Sequence, residues 1–239
     1  MCYHLSCTKN RNYIEDRFTA TFMDPELFRP MYHVSAFATP YLPVICGNDV
    51  KHIKMIQWGL IPFWAKDEEK ANKMRFSTFN ARAETVFEKP SFKFSIEKKR
   101  CLVIVDGFYE WREVNGRKYP YYIFLKDKDA FALAGLWDIW KKSGEGKQTF
   151  SIITTNANAL MEKIHNRKKR MPVILRREDE LHWLDESIDR NTIKAMLKPF
   201  SEDEMDAYTI SRLITRKDKD TNVREVLDKS EYEELSSLS

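Results

Sequence analysis

The sequence predicts a single domain of the mixed α+β class. Short runs rich in β-branched and aromatic residues read as strands, and helix-like segments lie between and after them without strict alternation. A regular βαβ alternation would imply a parallel sheet, so its absence implies strands of mixed direction. The chain of 239 residues can bury a substantial core, and no Gly/Ser linker, repeat or low-complexity tract divides it.

In chain order, the expected strands are residues 43–45, 53–58, 101–105, 121–125, 131–136 and 150–154. Each is a short β-branched or aromatic run. Helical spacing or helix formers mark residues 24–28, 83–87, 92–97, 158–164 and 178–184, with further helices expected around 192–197 and 223–227. The charged stretch 141–147 reads as a surface loop. A domain over residues 1–229 followed by a polar tail, 230–239, is the expected organisation.

Composition excludes some classes. Hydrophobic residues make up 43%, aromatics 13% and charged residues 32%, which suits a folded globule rather than a disordered chain. No apolar stretch approaches the roughly 20 residues that cross a bilayer, and the first residues lack the apolar centre of a secretory signal. The expectation is a cytoplasmic protein with no membrane partner. The four cysteines form no dense framework and should be thiols in a reducing compartment. A net charge of +4 permits an anionic partner without requiring one.

Cys2 carries the most chemistry. Removal of an initiator Met works when the next side chain is small, and here it would leave a free 1,2-aminothiol. An amine of pKa about 7.7 beside a thiol of about 8.5 gives usable fractions of both nucleophiles near neutrality. The amine can form an imine with an aldehyde and the thiolate can close on the same carbon, giving a thiazolidine that internal Lys or Cys residues cannot make. The plainer alternative is an incidental small residue, buried or frayed. Zinc binding by Cys2, His4 and Cys7 is a second alternative, but four ligands in recognisable pairs are usual and no matching pair occurs.

Other candidates lie further on. Asn80 and Arg82 would face one side of an extended segment, one suited to hydrogen-bonding an amine or sugar hydroxyl, the other to phosphate. A helix-capping Asn beside a surface Arg fits equally. Glu110 follows a buried-looking run among aromatics, where desolvation raises a carboxyl pKa toward neutrality, although a surface ion pair is the commoner fate of Glu. His165 sits beside Arg167, Lys168, Lys169 and Arg170, cations that should keep it neutral and attract phosphate. A solvated basic turn is the alternative. Trp64 is expected to be exposed as a stacking face for unpaired bases, and Trp58 buried.

Taken in order, several segments carry a family resemblance. They are Met1-Cys2, Trp58-Gly59-Leu60-Ile61-Pro62, Asn80-Ala81-Arg82-Ala83-Glu84-Thr85, Asp106-Gly107-Phe108-Tyr109-Glu110-Trp111, Ala134-Gly135-Leu136-Trp137, Thr154-Thr155, Ile164-His165, Arg170-Met171-Pro172-Val173-Ile174-Leu175 and Ser211-Arg212. Together they resemble the SOS response-associated peptidase (SRAP) family, whose members shield abasic sites in single-stranded DNA through a covalent N-terminal cysteine. The resemblance implies a strongly bent or barrel-like mixed sheet surrounded by helices. It also implies Cys2 as the crosslinking nucleophile, Asn80 and His165 lining its pocket, and Glu110 as the acid/base that opens the sugar. Arg82, with Arg167 or Arg170, is implied to hold phosphates, and Thr155, Ser211 and Arg212 are further expected DNA contacts beside the stacking face of Trp64. No cofactor or metal is expected. The partner would be single-stranded DNA bearing abasic sites, bound by a monomer that is nucleoid-associated when on DNA, with associated lyase and self-processing peptidase activity. Two departures stand out. The family's usual Met-Cys-Gly-Arg start is Met1-Cys2-Tyr3-His4 here, which weakens or removes a phosphate contact from the fourth residue. The usual His-Asp-Arg-Met-Pro is expanded to residues 165–172, which leaves the matching arginine ambiguous. Two rival functions remain open: a thiol peptidase or amidohydrolase using Cys2 as an N-terminal nucleophile, and a noncatalytic single-strand-binding module.

Overall fold

Where the β-branched runs fall, strands form, and most of them join a closed ring. The computed structural model describes residues 2–142 and 144–236. The first third contains β1 (His4–Cys7), α1 (Arg11–Phe18), β2 (Thr21–Phe22), β3 (Met31–Ser35), β4 (Tyr41–Cys46) and β5 (Asp49–Trp58). Then come α2 (Glu68–Arg75), β6 (Asn80–Arg82), α3 (Lys93–Lys98), β7 (Arg100–Val105), β8 (Gly107–Val114), β9 (Arg117–Leu125), β10 (Phe131–Lys142) and β11 (Glu145–Asn156). The remainder holds α4 (Ala159–Ile164), β12 (Arg170–Pro172), α5 (Arg177–Leu184), α6 (Arg190–Met196), β13 (Met205–Thr209) and α7 (Glu233–Ser236). Among the described residues no helix is long and apolar enough to cross a membrane.

Strands β11, β10, β7, β4 and β5 pair in that order as antiparallel neighbours. The ring closes where β5 runs parallel to β11, with Gln57 opposite Thr149 and Trp58 opposite Phe150. Closure leaves these five strands no exposed edge. Val44, Ile53, Val103, Leu133, Phe150 and Ile152 are wholly buried in the main core that results. The mixed, barrel-like sheet expected from the sequence is the architecture observed.

Two junctions position the site. After Trp58 the chain leaves the barrel, forms α2, and returns as β6 on β11 just beyond the place where β5 ends, with Asn80 opposite Ile152. Gly59 makes the departure with φ +105°, and a Cβ there would lie 2.3 Å from the Arg75 side chain. The second junction is Asp106. There β7 passes directly into β8 and leaves the barrel for a five-stranded antiparallel sheet ordered β13-β9-β8-β1-β3. The Asp106 carboxylate accepts hydrogen bonds from Ser6 Oγ at 2.6 Å, from the Thr8 backbone N–H at 2.6 Å and from the Thr8 hydroxyl. Charge-assisted bonds of this kind pin β1, and with it the start of the chain, against β8.

Several local expectations are corrected. Residues 83–87 form successive hydrogen-bonded turns rather than a helix, with Thr85 N–H donating to Arg82 O and Glu88 N–H to Thr85 O. The segments expected as helices at 24–28 and 223–227 are short 3-10 turns, Pro25–Leu27 and Arg224–Leu227. The expected loop 141–147 is the end of the β10–β11 hairpin, where Lys141 pairs with Gly146 and Lys142 with Glu145. In the segment expected as a tail, the Tyr232 hydroxyl donates to Ile210 O at 2.7 Å. Met1, Ser143 and residues 237–239, on which part of the terminal and loop expectations rest, lie outside the described residues.

Candidate active site

Four side chains expected to act together do converge. Cys2 lies two residues before β1, which pairs with β8 through Leu5 opposite Phe108, and Glu110 is two residues further along β8. Asn80 opens β6, and its Nδ2 donates to the Cys2 carbonyl at 2.9 Å. This replaces the helix-capping alternative, because Asn80 begins a strand. Among the described residues Asn80 Oδ1, itself buried, has no hydrogen-bond partner, an unusual state for an amide oxygen and one that suits an incoming N–H donor. His165 ends α4, where its backbone N–H closes the last turn on Met161 O at 2.7 Å.

The histidine tautomer follows from its neighbours. Nδ1 lies 2.8 Å from the Arg170 carbonyl, which can only accept, so Nδ1 carries the proton and Nε2 offers a lone pair. That lone pair faces Glu110, with Nε2 3.7 Å from Oε2. Burial is the main influence that lowers the imidazole pKa to about 4, with nearby Lys168 and Arg170 adding to the effect; the expected role of the cations is secondary. His165 is therefore neutral at ordinary pH, and its contact with Glu110 is not an ion pair.

Glu110 is 6% exposed, and burial raises its carboxyl pKa to about 7. A surface ion pair is thereby ruled out, and the carboxyl is set where it can both donate and accept a proton. Cys2 is 1% exposed. Burial, reinforced by the Glu110 charge, pushes its thiol well above the ordinary range. The sequence expectation of a ready thiolate fraction is therefore not met in this setting, where the thiol form is favoured. The zinc alternative has no geometric support, since among the described residues no cluster of three or more His, Cys, Asp or Glu side chains could hold a metal.

A cleft of about 730 Å3 opens over Glu110 and His165, and Tyr3, His4, Trp111 and Arg167 form much of the rest of its wall, with Lys118 and Lys168 contributing cations; Cys2 and Asn80 lie behind this wall and do not line it. The remaining expected DNA contacts divide. Arg167 lines the cleft and pairs with Glu113 at 3.0 Å. Arg82 is exposed at the end of β6. Trp64 is 37% exposed and donates Nε1 to Pro90 O, whereas Trp58 is fully buried. Arg170 is 9% exposed and committed internally, bonding Glu84, Asn156 and the Thr154 carbonyl, so it braces β12 against β11 and does not face the cleft. Thr155 is buried and donates to Leu197 O. Ser211 caps a 3-10 turn, and Arg212 lies over the rings of Tyr119 and Tyr232. Sequence reasoning missed Tyr3, Trp111, Lys118 and Thr215. Trp111 lies inside a quoted motif and Tyr3 in the divergent start of the chain, whereas Lys118 and Thr215 carry no local signal.

A closed barrel with a flanking sheet, and a buried cysteine, glutamate and histidine with a half-buried asparagine gathered around the second residue, define the structural class. A model of the SOS response associated peptidase (SRAP) family matches residues 1–217, and the chain belongs to that family. A crystal structure of a protein from Bacteroides thetaiotaomicron shares 40% identity and a TM-score of 0.90, covering 96% of this chain and 100% of its own. The abasic site processing protein YoqW of Bacillus subtilis is 38% identical over 218 residues, 90% of this chain and 94% of its own. The abasic site processing protein HMCES of Gallus gallus is 37% identical over 152 residues, 54% of this chain and 44% of its own.

Proposed function

We propose that this protein recognises abasic sites in single-stranded DNA and links to them through Cys2 once Met1 has been removed. The observation that carries the reading is the grouping of a buried Cys2, held by Asn80, next to Glu110 and a neutral His165, the two of which line one cleft. The names borne by similar proteins, abasic site processing proteins, support it.

The chemistry follows from the groups present. Protonated Glu110 donates to the sugar ring oxygen as its bond to C1′ breaks, and His165 Nε2 takes the proton of the C1′ hydroxyl as the aldehyde forms and returns it to Glu110, whose Oε2 lies 3.7 Å away. The Cys2 amine, positioned by the Asn80 oxygen, attacks the aldehyde carbon and water departs to give an imine. The thiol then adds across the C=N bond: sulphur joins carbon, its proton ends on nitrogen, and a thiazolidine results. The net change is loss of one water from aldehyde and aminothiol. Held geometry replaces the entropy of a collision between free reactants. Lyase cleavage beside the lesion and self-processing that exposes Cys2 belong to the same proposal, as do a monomeric state, a cytoplasmic setting and DNA contacts from Arg82, Trp64 and Arg167. No cofactor enters the scheme.

Incubation with a single-stranded abasic oligonucleotide followed by a denaturing gel tests it. Wild type should give a covalent adduct and Cys2→Ala none; equal adduct from both would contradict the proposal. Peptide turnover without DNA would favour a thiol peptidase, and equal binding of intact and abasic strands without adduct would favour a noncatalytic module.

A further inference from the structure

Behind the cleft runs a chain of hydrogen bonds that this chemistry does not use. His4, at the start of β1, lines the cleft. Its Nδ1 lies 2.8 Å from His33 Nε2, and His33 Nδ1 lies 2.7 Å from Thr221 Oγ1. The two imidazoles stack with centroids 5.1 Å apart, Trp111 meets His4 edge-on at 4.8 Å, and Tyr109 meets His33 edge-on at 5.4 Å. The adjacent Asn222 Oδ1 accepts from the backbone N–H groups of Tyr32 and His33 at 2.7 and 3.2 Å, which fastens this segment to the edge of β3. Thr221 and Asn222 lie beyond residue 217, where the family match ends.

Only two neutral arrangements satisfy every contact. In one, the Thr221 hydroxyl donates to His33 Nδ1, His33 Nε2–H donates to His4 Nδ1, and His4 carries its proton on Nε2. In the other each bond is reversed and His4 Nε2 presents a lone pair. Both hold the same number of protons, and the threonine hydroxyl can serve either because it donates and accepts. Burial is the main influence holding His4 down to about 3 and His33 to about 4, so the pair is uncharged at ordinary pH. Nε2 is the ring nitrogen this chain of bonds leaves for the cleft.

Building on the DNA-processing reading above, we propose that His33 and Thr221 are positioning residues that aim His4 into the cleft and set its tautomer, so that a charge-free Nε2–H donates to a phosphodiester oxygen of the bound strand. Phosphodiester oxygens only accept, so the strand selects the first arrangement and fixes all three groups together. The contact differs in kind from Arg167 and Lys168. A cation on phosphate displaces counterions and makes binding salt-dependent, whereas a neutral imidazole adds a hydrogen bond without that dependence.

The test uses a single-stranded oligonucleotide carrying tetrahydrofuran in place of the abasic sugar. It has no aldehyde, so it reads noncovalent binding separately from crosslinking. His4→Ala and His33→Leu are each expected to raise Kd about tenfold, the loss of one hydrogen bond to a charged group, with the slope of log Kd against log salt unchanged. Thr221→Val, a change in a half-buried segment away from the core, should raise Kd in the same direction while leaving the thermal midpoint near that of wild type. Nitrogen-15 spectra of the complex should show the His4 proton on Nε2. Binding by His4→Ala within about twofold of wild type, or a bare Nε2 in the complex, would overturn the inference. Wild type that binds this probe but leaves natural abasic DNA unlinked would instead count against the crosslinking proposal alone.

Discussion

Replacing Glu110 by glutamine removes a charge from a buried site while keeping its shape, and the consequence for stability can be worked out from the carboxyl environment. Burial raises the folded-state pKa from an ordinary 4.5 to about 7. Between those values the native state holds a proton that the unfolded chain has released. The stabilisation from this group is therefore fully present below about pH 4.5 and is lost as pH rises through about 7. At about 1.36 kcal/mol per pH unit, the loss amounts to about 3 kcal/mol. Glutamine cannot ionise, so Glu110→Gln should match wild type in acid and exceed it by about 3 kcal/mol near pH 8. For a chain of this length that corresponds to roughly 6–12 °C in Tm. The same substitution should slow crosslinking by about a hundredfold and abolish a limb of the rate profile that falls as pH rises through about 7. Calorimetry at the two pH values, with adduct formation timed on gels, supplies both readings. A variant no more stable than wild type in alkali, or one that keeps the wild-type rate profile, would refute the reasoning.

Two further predictions separate residues that the sequence treats alike. Arg167→Ala should leave Tm unchanged and flatten the salt dependence of DNA binding by about one unit of slope, because its side chain is 70% exposed at the cleft. Arg170→Ala should instead lower stability by about 1–3 kcal/mol in denaturant melts, because it removes the guanidinium bonds to Glu84, Asn156 and the Thr154 carbonyl that tie β12 to β11. Gly107→Ala should destabilise by at least about 1–3 kcal/mol, since a Cβ there would lie 2.3 Å from the Tyr122 ring and hydroxyl. A melt within error of wild type would mean that β8 and β9 can part at that point without cost.

Barrel strands β7 and β10 were legible because they hold continuous buried, mostly apolar runs. β7 is buried at every residue and β10 over its first eight, and composition alone marks such segments. What composition did not mark is held by distant partners. β1 reads His-Leu-Ser-Cys, too polar for a strand by pattern, and it forms because Asp106 gathers Ser6 and Thr8 from about a hundred residues away in sequence. α1 buries only Ile14, so it shows no apolar stripe. The parallel contact that closes β5 on β11 joins segments too far apart for any local pattern to register. At the site, the desolvation of Glu110 could be anticipated from its aromatic neighbours, whereas the raised Cys2 thiol and the split between Arg167 and Arg170 could not. Both depend on which side of a strand or turn meets the interior. The His4–His33–Thr221 chain spans three segments and has no signature in any one of them.

Peptide mapping of the protein after exposure to single-stranded abasic DNA, without reductant and with thiol alkylation after denaturation, bears most directly on the role of the second residue. The expected N-terminal peptide begins at Cys2, carries the sugar with loss of one water, and resists alkylation at that sulphur, while Cys7, Cys46 and Cys101 are all alkylated. An adduct on any other residue, or a sugar-bearing peptide whose Cys2 sulphur still takes the alkylating agent, would contradict the account.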